Sequence, residues 1–541
     1  MNKIEIKFFL KTIYNTLYKN VVFEKKYTQK ILDEEKKQRE APKCNGDIKF
    51  SIVVIQKKDN FKYLEKLKES IQHQNYTNWE VYIHSIDEDL LSKAPVKFCN
   101  LTGDYIIIVD QNDLLAPTAL FECYNYIKER ENVDILYSDS DEISKSGRKF
   151  SKPQYKPDFS IDFIRSRNYI GELLIVKREL IENTEEYQNF KKYDFILKLI
   201  EKAKCIEHIP KVLYHKRKDD VQIDINEQNN DIEALKAYYQ RNNIEAEVRK
   251  TIVPGVYHTQ YKLEEFPKVS IIIPNKDNTE VLKRCLESIR KRSTYDNYEI
   301  LIVENNSVEE ATFRYYDEIE KTYSKVKLCN YEGTFNYSKI NNFAVSKAEG
   351  EYYIFLNNDT EIISENWIEE LLGNCMRSEV GVVGAKLYYP NNLIQHAGIV
   401  VGYRDAAAHA FINCMRNEKG YLDRCICTQN YLAVTGACMM VKGTLFYKVK
   451  GFDEELQVAY NDVDLCLKIY EAGYLIVYDA AVELYHYESY SRGLDISEEK
   501  KIRLEKERKI LNNKWKCIFE KGDPYYNPNL TKTETIFSVE L

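Results

Sequence analysis

Val269-Ser270-Ile271-Ile272-Ile273-Pro274-Asn275-Lys276-Asp277 is the stretch that decides the fold. Residues 268–274 form a nearly continuous apolar run, the signature of a strand buried on both faces. Leu282, Cys285, Leu286 and Ile289 follow at the spacing of one helix face. Tyr298 to Val303 reads as a second strand, residues 336–348 as a helix and Tyr352 to Leu356 as a third strand. This βαβαβ order predicts a mostly parallel sheet wrapped by helices. Ligands of such sheets sit beyond the carboxyl ends of the strands.

The pattern occurs twice. Phe50-Ser51-Ile52-Val53-Val54 anticipates residues 269–273, and Gly103-Asp104-Tyr105-Ile106-Ile107 anticipates Gly350-Glu351-Tyr352-Tyr353-Ile354. Tyr193-Asp194-Phe195-Ile196-Leu197-Lys198 anticipates Val463-Asp464-Leu465-Cys466-Leu467-Lys468, and Leu213-Tyr214-His215 anticipates Leu484-Tyr485-His486. Four matches in one order mean two copies of one domain, the second carrying insertions. The expected organisation is a basic helical segment (1–47), a first α/β domain (48–217), a linker with a short helix around Ile232 to Gln240 (218–266), a second α/β domain (267–495) and a helical extension (496–541).

The 541 residues are 44% hydrophobic and 30% charged, with a net charge of −7. No apolar run approaches the roughly 18–20 residues of a membrane span, and no basic stripe marks a nucleic-acid binder. The 13 cysteines include one C-x-C, Cys425 and Cys427, and no paired C-x-x-C, which argues against a zinc site. Lysines at 3, 7, 11 and 19 interrupt any signal-peptide core, so a cytoplasmic location is expected. Those lysines interleave with Ile4, Phe8, Leu10, Ile13 and Leu17; residues 1–30 thus suit either peripheral contact with an anionic membrane or packing on their own domain.

The strand ends of the second copy are polar: Asn275-Lys276-Asp277, Glu304-Asn305-Asn306-Ser307 and Asn357-Asn358-Asp359-Thr360. Asn461-Asp462-Val463-Asp464 opens a helix, and a strand ends in His486. Asp462 and Asp464 suit a helix N-terminus on electrostatic grounds alone, and a lone histidine is commonly structural. Together, on the ligand side of the sheet, these residues suit a nucleotide diphosphate and a divalent metal, which takes one or two carboxylates plus phosphate oxygens. A separate carboxylate is then available to deprotonate an acceptor hydroxyl.

With these motifs in view, the chain resembles the family 2 glycosyltransferases of the GT-A fold. It is most similar to tandem-domain bacterial members, described as rhamnosyltransferase-like, that build surface polysaccharides. The resemblance rests on residues 269–277, Leu356 to Thr360, Gly436-Ala437-Cys438, Gly451-Phe452-Asp453-Glu454, Asn461 to Leu467 and Leu484 to Ser489, and extends from about residue 48 to Thr531. It implies two tandem Rossmann-like domains and an inverting, Mn²⁺- or Mg²⁺-dependent transfer. The sugar would pass from a nucleotide-diphosphate donor to a glycan, lipid-linked or glycoprotein acceptor. By position, Pro274, Asp277, Glu304, Asn306, Asn341, Asn357, Asn358, Gly436 and Arg492 would bind the donor. Asp359 and His486 would hold the metal, and Asp462 would be the base. Asn357 stands where the family has the first Asp of its D-x-D. Asp464 points ~200° away from Asp462 on the helix and is read as structural support.

Aligning the copies pairs Pro274 with Gln56, Glu304 with Ser85, Asp359 with Asn112 and Asp462 with Lys192. Asn is a poorer metal ligand, and Lys is no general base unless its pKa falls far. The first copy is therefore expected to be inactive; a bifunctional enzyme and a non-catalytic scaffold are the alternatives. Asp139 and Asp141 resemble a family element of undefined role, and His396 and His409 read as structural.

Overall fold

The computed structural model describes residues 3–57, 62–86, 98–171, 173–181, 192–218, 225–403, 406–488 and 497–540. Two sheets dominate. In the first, strands run in the order Trp79–Ile86, Phe50–Lys57, Tyr105–Asp110, Leu174–Lys177, Ile135–Ile143, Ile206–Arg217 and Leu114–Leu115. In the second the order is Tyr298–Glu304, Val269–Asn275, Tyr352–Leu356, Cys438–Lys442, Val380–Tyr388, Leu475–His486 and Thr360–Ile362, with Val326–Asn330 added at the edge. Strand for strand the two paths are the same, so the repeat read from four short matches is a duplicated α/β fold. Parallel pairing runs through the first three strands of each path and returns once further on. Antiparallel pairs fill the remainder of both sheets.

One repeated detail shows how sequence enforces this frame. Gly350 lies where a Cβ would meet the backbone nitrogen of Ser270 at 2.6 Å, and Gly103 stands in the same relation to Ser51 at 2.5 Å. Each glycine N–H donates to that serine hydroxyl, and each serine donates to a glutamate, Glu299 or Glu80. This shared contact fixes the register of the two copies. Ile55, not Gln56, is the counterpart of Pro274, correcting the pairing expected from the sequence. Gln56 answers to Asn275, because Gln56 faces Ser85 as Asn275 faces Glu304.

The helix around Leu282 spans Thr279–Arg292 and buries Leu282, Cys285, Leu286 and Ile289. The sequence reading passed over the helix Glu310–Thr322 and the edge strand after it. Residues 218–266, expected as a linker with a short helix, hold a 17-residue helix, Ile225–Arg241, and a hairpin of Ala246–Lys250 with Tyr257–Tyr261. Leu235, Tyr238, Tyr239 and Tyr257 join the first domain's core, so this segment is part of the fold.

The two halves are bonded face to face. Arg377 reaches both carboxylate oxygens of Asp162 at 2.5 and 2.9 Å, and the Asn430 amide donates to the same carboxylate at 2.7 Å. The extension continues past its helices, Glu498–Lys514 and Lys516–Lys521, into a strap over both halves. Asn527 donates to Asp139, and Asp523 accepts from the Val401 N–H. Asp139 is also held by His208 at 2.9 Å and by the Lys156 N–H at 2.8 Å, which gives it a structural place. The N-terminal helix spans Lys3–Glu40, and its residues from Phe23 onward pack on the first domain through Tyr27 and Ile31 against Ile143 and Phe150. Among the described residues no helix is long and apolar enough to cross a membrane. The described cysteines stand as free thiols.

Candidate active site

The strand ends of the second sheet converge as the fold class requires. Thr360 pairs with His486, which brings Asp359 beside the histidine: Oδ1 lies 3.1 Å from His486 Nε2. The Asn357 amide nitrogen lies 3.1 Å from the same ring nitrogen. Asp359 is 5% and His486 8% exposed, so the pair is sheltered yet reachable.

Asp462 opens the helix Asn461–Glu471 after Tyr460, whose φ of 62° turns the chain sharply. Its Oδ2 accepts from the Gly436 N–H at 2.9 Å and its Oδ1 from the Val463 N–H at 2.8 Å, so two backbone donors fix the carboxylate. Gly436 packs closely here: a Cβ would lie 3.3 Å from the Tyr337 hydroxyl and 3.4 Å from the Asp462 Cβ. Tyr337 donates to the Gly436 carbonyl at 3.0 Å, and burial together with the Asp462 charge keeps its hydroxyl protonated. Asp464 turns the other way. It is fully buried and accepts from Trp515 Nε1 at 2.8 Å, with Lys514 Nζ also at 2.8 Å, anchoring the C-terminal extension.

The remaining polar strand-end positions form one hydrogen-bonded chain across three strand ends. Asn358 donates to Asn275, Asn275 to the Tyr316 hydroxyl, and Tyr316 to Glu304. Glu304 also accepts from the Ser307 N–H and hydroxyl, both at 2.6 Å. Ser307 in turn accepts from the Asp277 N–H, while Asp277 Oδ1 takes the Val308 and Glu309 N–H groups. Asp277, Glu304 and Asn358 are therefore committed to shaping the cleft wall. Asn275, Ser307 and Tyr316 are members that the sequence reading missed; Tyr316 lies on the helix it passed over. Asn306, at φ 61°, donates to the Gly333 carbonyl, and Pro274 is the penultimate residue of its strand, opposite Val303. Asn341 is wholly buried and donates to the Tyr337 carbonyl, while its own carbonyl oxygen has no partner. Arg492 lies outside the described residues. His396 is fully buried behind the site and accepts from the Gly398 N–H at 3.3 Å; burial holds its pKa far below the ordinary range.

The first domain repeats the geometry with different occupants. His215 sits opposite Leu114 as His486 sits opposite Thr360. Its Nδ1 lies 2.6 Å from Asp141, and its Nε2 lies 3.2 Å from Glu35 of the N-terminal helix. Burial alone would lower the His215 pKa, but the two carboxylates outweigh it and carry it up to about 10. Tyr27 of the same helix donates to Asp141, and Arg217 donates to the Asn112 carbonyl. The N-terminal helix thus contacts both Asp141 and His215 at the strand ends of the first domain.

The metal implied by the resemblance can be set against these atoms. Two ligands at ~2.1 Å on adjacent corners of an octahedron are about 3.0 Å apart, close to the Asp359–His486 separation. Among the described residues no group of three or more His, Cys, Asp or Glu side chains could hold a metal. A two-residue site leaves the other corners to phosphate oxygens and water, which suits a hard divalent ion.

Two tandem α/β domains share one strand path; at the strand ends of the second Asp359 meets His486, and in the first the matching His215 meets Asp141 and Glu35. Residues 270–405 match the family described as Glycosyl transferase family 2. The chain is 33% identical over 534 residues to an uncharacterised Sinorhizobium fredii protein, y4gI, covering 90% of this chain and 58% of that one. It is 34% identical over 452 residues to the O-antigen biosynthesis protein RfbC of Myxococcus xanthus, covering 81% of this chain and 34% of that one. The chain thus spans less than two thirds of either relative. A mannosyltransferase from Pyrobaculum calidifontis, solved with GDP-Man and Mn²⁺, aligns at a TM-score of 0.37 and 16% identity over 49% of this chain and 68% of that one. The match to the family 2 glycosyltransferases thus lies in the second domain.

Proposed function

We propose that this chain transfers a sugar from a nucleotide-diphosphate donor to a hydroxyl of a surface-polysaccharide-type acceptor, and that the second domain carries out the transfer. The observation that supports the reading is the pairing of Asp359 with His486 at 3.1 Å at the strand ends of the second domain, with Asp462 held by the Gly436 N–H, while the equivalent histidine in the first domain lies between Asp141 and Glu35. The family match and the likeness to an O-antigen biosynthesis protein support the substrate class.

In this reading Asp462, held by two backbone N–H groups, accepts the proton of the acceptor hydroxyl. That oxygen attacks the anomeric carbon from the face opposite the diphosphate. The new C–O bond forms as the bond to the diphosphate oxygen breaks, and the configuration inverts. Asp359 and His486 would hold a Mn²⁺ or Mg²⁺ ion, which when bound supplies Lewis-acid stabilisation of the leaving diphosphate. Asn357, beside His486, completes the polar wall there, and the chain from Asn358 to Asp277 keeps the strand ends in register. In the first domain Asp141 and Glu35 favour the protonated form of His215, which supports reading that copy as structural.

Asp462→Asn keeps the size of the side chain and one acceptor oxygen while removing the base. Transfer should fall by 10²–10⁴-fold, with donor binding by calorimetry within a few-fold of wild type. Unchanged turnover would refute the role given to Asp462.

A further inference from the structure

The ring of His486 is held from behind by a residue to which nothing so far assigns a role. Gln395 lies on the short strand Ile394–His396, which pairs with Val380–Tyr388. Leu387 faces His396 and Tyr388 faces Ile394, so Gln395 is the extra residue of a bulge. Bulges re-aim side chains beside functional sites, and here the bulge turns Gln395 inward. It is 2% exposed, and its Oε1 lies 2.7 Å from His486 Nδ1.

The orientation of the Gln395 amide follows from its other contacts. Its nitrogen faces the His486 carbonyl at 3.4 Å and a Glu488 carboxylate oxygen at 3.2 Å. Both are acceptors only, so the NH₂ must point at them, and the amide oxygen must face the imidazole. An amide oxygen only accepts; His486 Nδ1 therefore carries the hydrogen. In the neutral ring the lone pair is then on Nε2, 3.1 Å from Asp359 Oδ1 and 3.1 Å from the Asn357 amide nitrogen.

The first domain provides the contrast within the same chain. There His215 has Asp141 at Nδ1 and Glu35 at Nε2, two carboxylates that accept only. The two carboxylates raise the His215 pKa to about 10 and favour its doubly protonated form at neutral pH. The difference between the two histidines lies at Nδ1, a carboxylate for His215 and the neutral Gln395 amide for His486.

We propose that Gln395 is the positioning residue of the metal site, holding His486 as the Nδ1–H tautomer so that Nε2 and Asp359 form a ready pair of donors for a divalent cation. The proposal rests on the metal reading of Asp359 and His486. Outer partners of this type orient metal-binding histidines and commonly change metal affinity 10–100-fold when removed.

The test uses the full chain with Mn²⁺ alone, its binding followed by the electron paramagnetic resonance of the free ion. The ring nitrogens of ¹⁵N-histidine-labelled protein are followed by NMR, with His486 identified by its loss in His486→Asn. In metal-free wild type at pH 8, His486 should show a protonated Nδ1 and an unprotonated Nε2; the reverse tautomer overturns the proposal, whatever any variant does. Gln395→Met, similar in length and unable to accept, should give a tautomer mixture and Mn²⁺ binding 10–100-fold weaker. Wild-type Mn²⁺ affinity in Gln395→Met, with binding lost in Asp359→Ala, overturns the role of Gln395 and leaves the metal site standing. Unchanged binding in both variants overturns the metal reading and the proposal with it.

Discussion

Removing Arg377 should loosen the joint between the two domains by an amount that the structure lets one work out. Asp162 is 2% exposed and receives two Arg377 contacts and one from Asn430, with Arg165 at 3.4 Å. Burial raises the Asp162 pKa, but Arg377 outweighs it and the carboxyl falls from 3.8 to about 2. That lowering corresponds to about 2–3 kcal/mol. Deleting one partner of a buried pair also strands the other charge, for which measured costs are about 3–5 kcal/mol. Arg377→Leu is therefore expected to destabilise the protein by about 3 kcal/mol at pH 7, read by thermal unfolding followed by circular dichroism. Because the folded pKa is depressed, the Asp162 contribution is complete above the unfolded value near 3.8 and is lost as pH falls through 2. Asp162→Asn combined with Arg377→Leu should be more stable than Arg377→Leu alone, since no buried charge is left unpaired. A single variant within about 0.5 kcal/mol of wild type, or a double variant no better than the single, would refute the reasoning.

Gly350→Ala should cost at least about 1–3 kcal/mol, since its Cβ would press on backbone atoms of Ser270 and Lys268; a melting temperature equal to wild type would contradict the packing. Asp141→Asn removes the anion nearest His215. The His215 pKa is raised, so its stabilisation is complete below the ordinary histidine value of 6.5 and is lost as pH rises through about 10. The variant's deficit in melting temperature should therefore be large at pH 7 and shrink towards pH 10; a deficit independent of pH would count against a charged His215.

Much of this architecture was legible in the sequence because its signals are local. Continuous apolar strands such as 269–273, the helix face of Leu282 and Leu286, and polar residues following each strand are short-range patterns, and their repetition showed the duplication. The pairing of Asp359 with His486 was accessible because the fold class dictates that strand ends meet. The contact of Glu35 with His215 in the first domain was not, since the two lie far apart in the chain and only folding joins them. Gln395 escaped notice for a different reason. A bulge aims it, and a bulge leaves no period in a stretch as short as Ile394–His396. The one-residue slip that set Gln56 against Pro274 shows how an alignment by eye drifts where the strand ends; the glycine–serine contact of each copy resolves it. The strap around Asn527 likewise has its reason in the folded chain, a bond across to Asp139.

Nucleotide release is the most direct measurement of the central claim. A panel of UDP-, dTDP- and GDP-sugars with Mn²⁺ or Mg²⁺ would be compared in wild type, Asp359→Ala and Asn112→Ala. Release from one donor, lost in Asp359→Ala and retained in Asn112→Ala, is the predicted result and places transfer in the second domain. Release that survives Asp359→Ala and disappears in Asn112→Ala would contradict it.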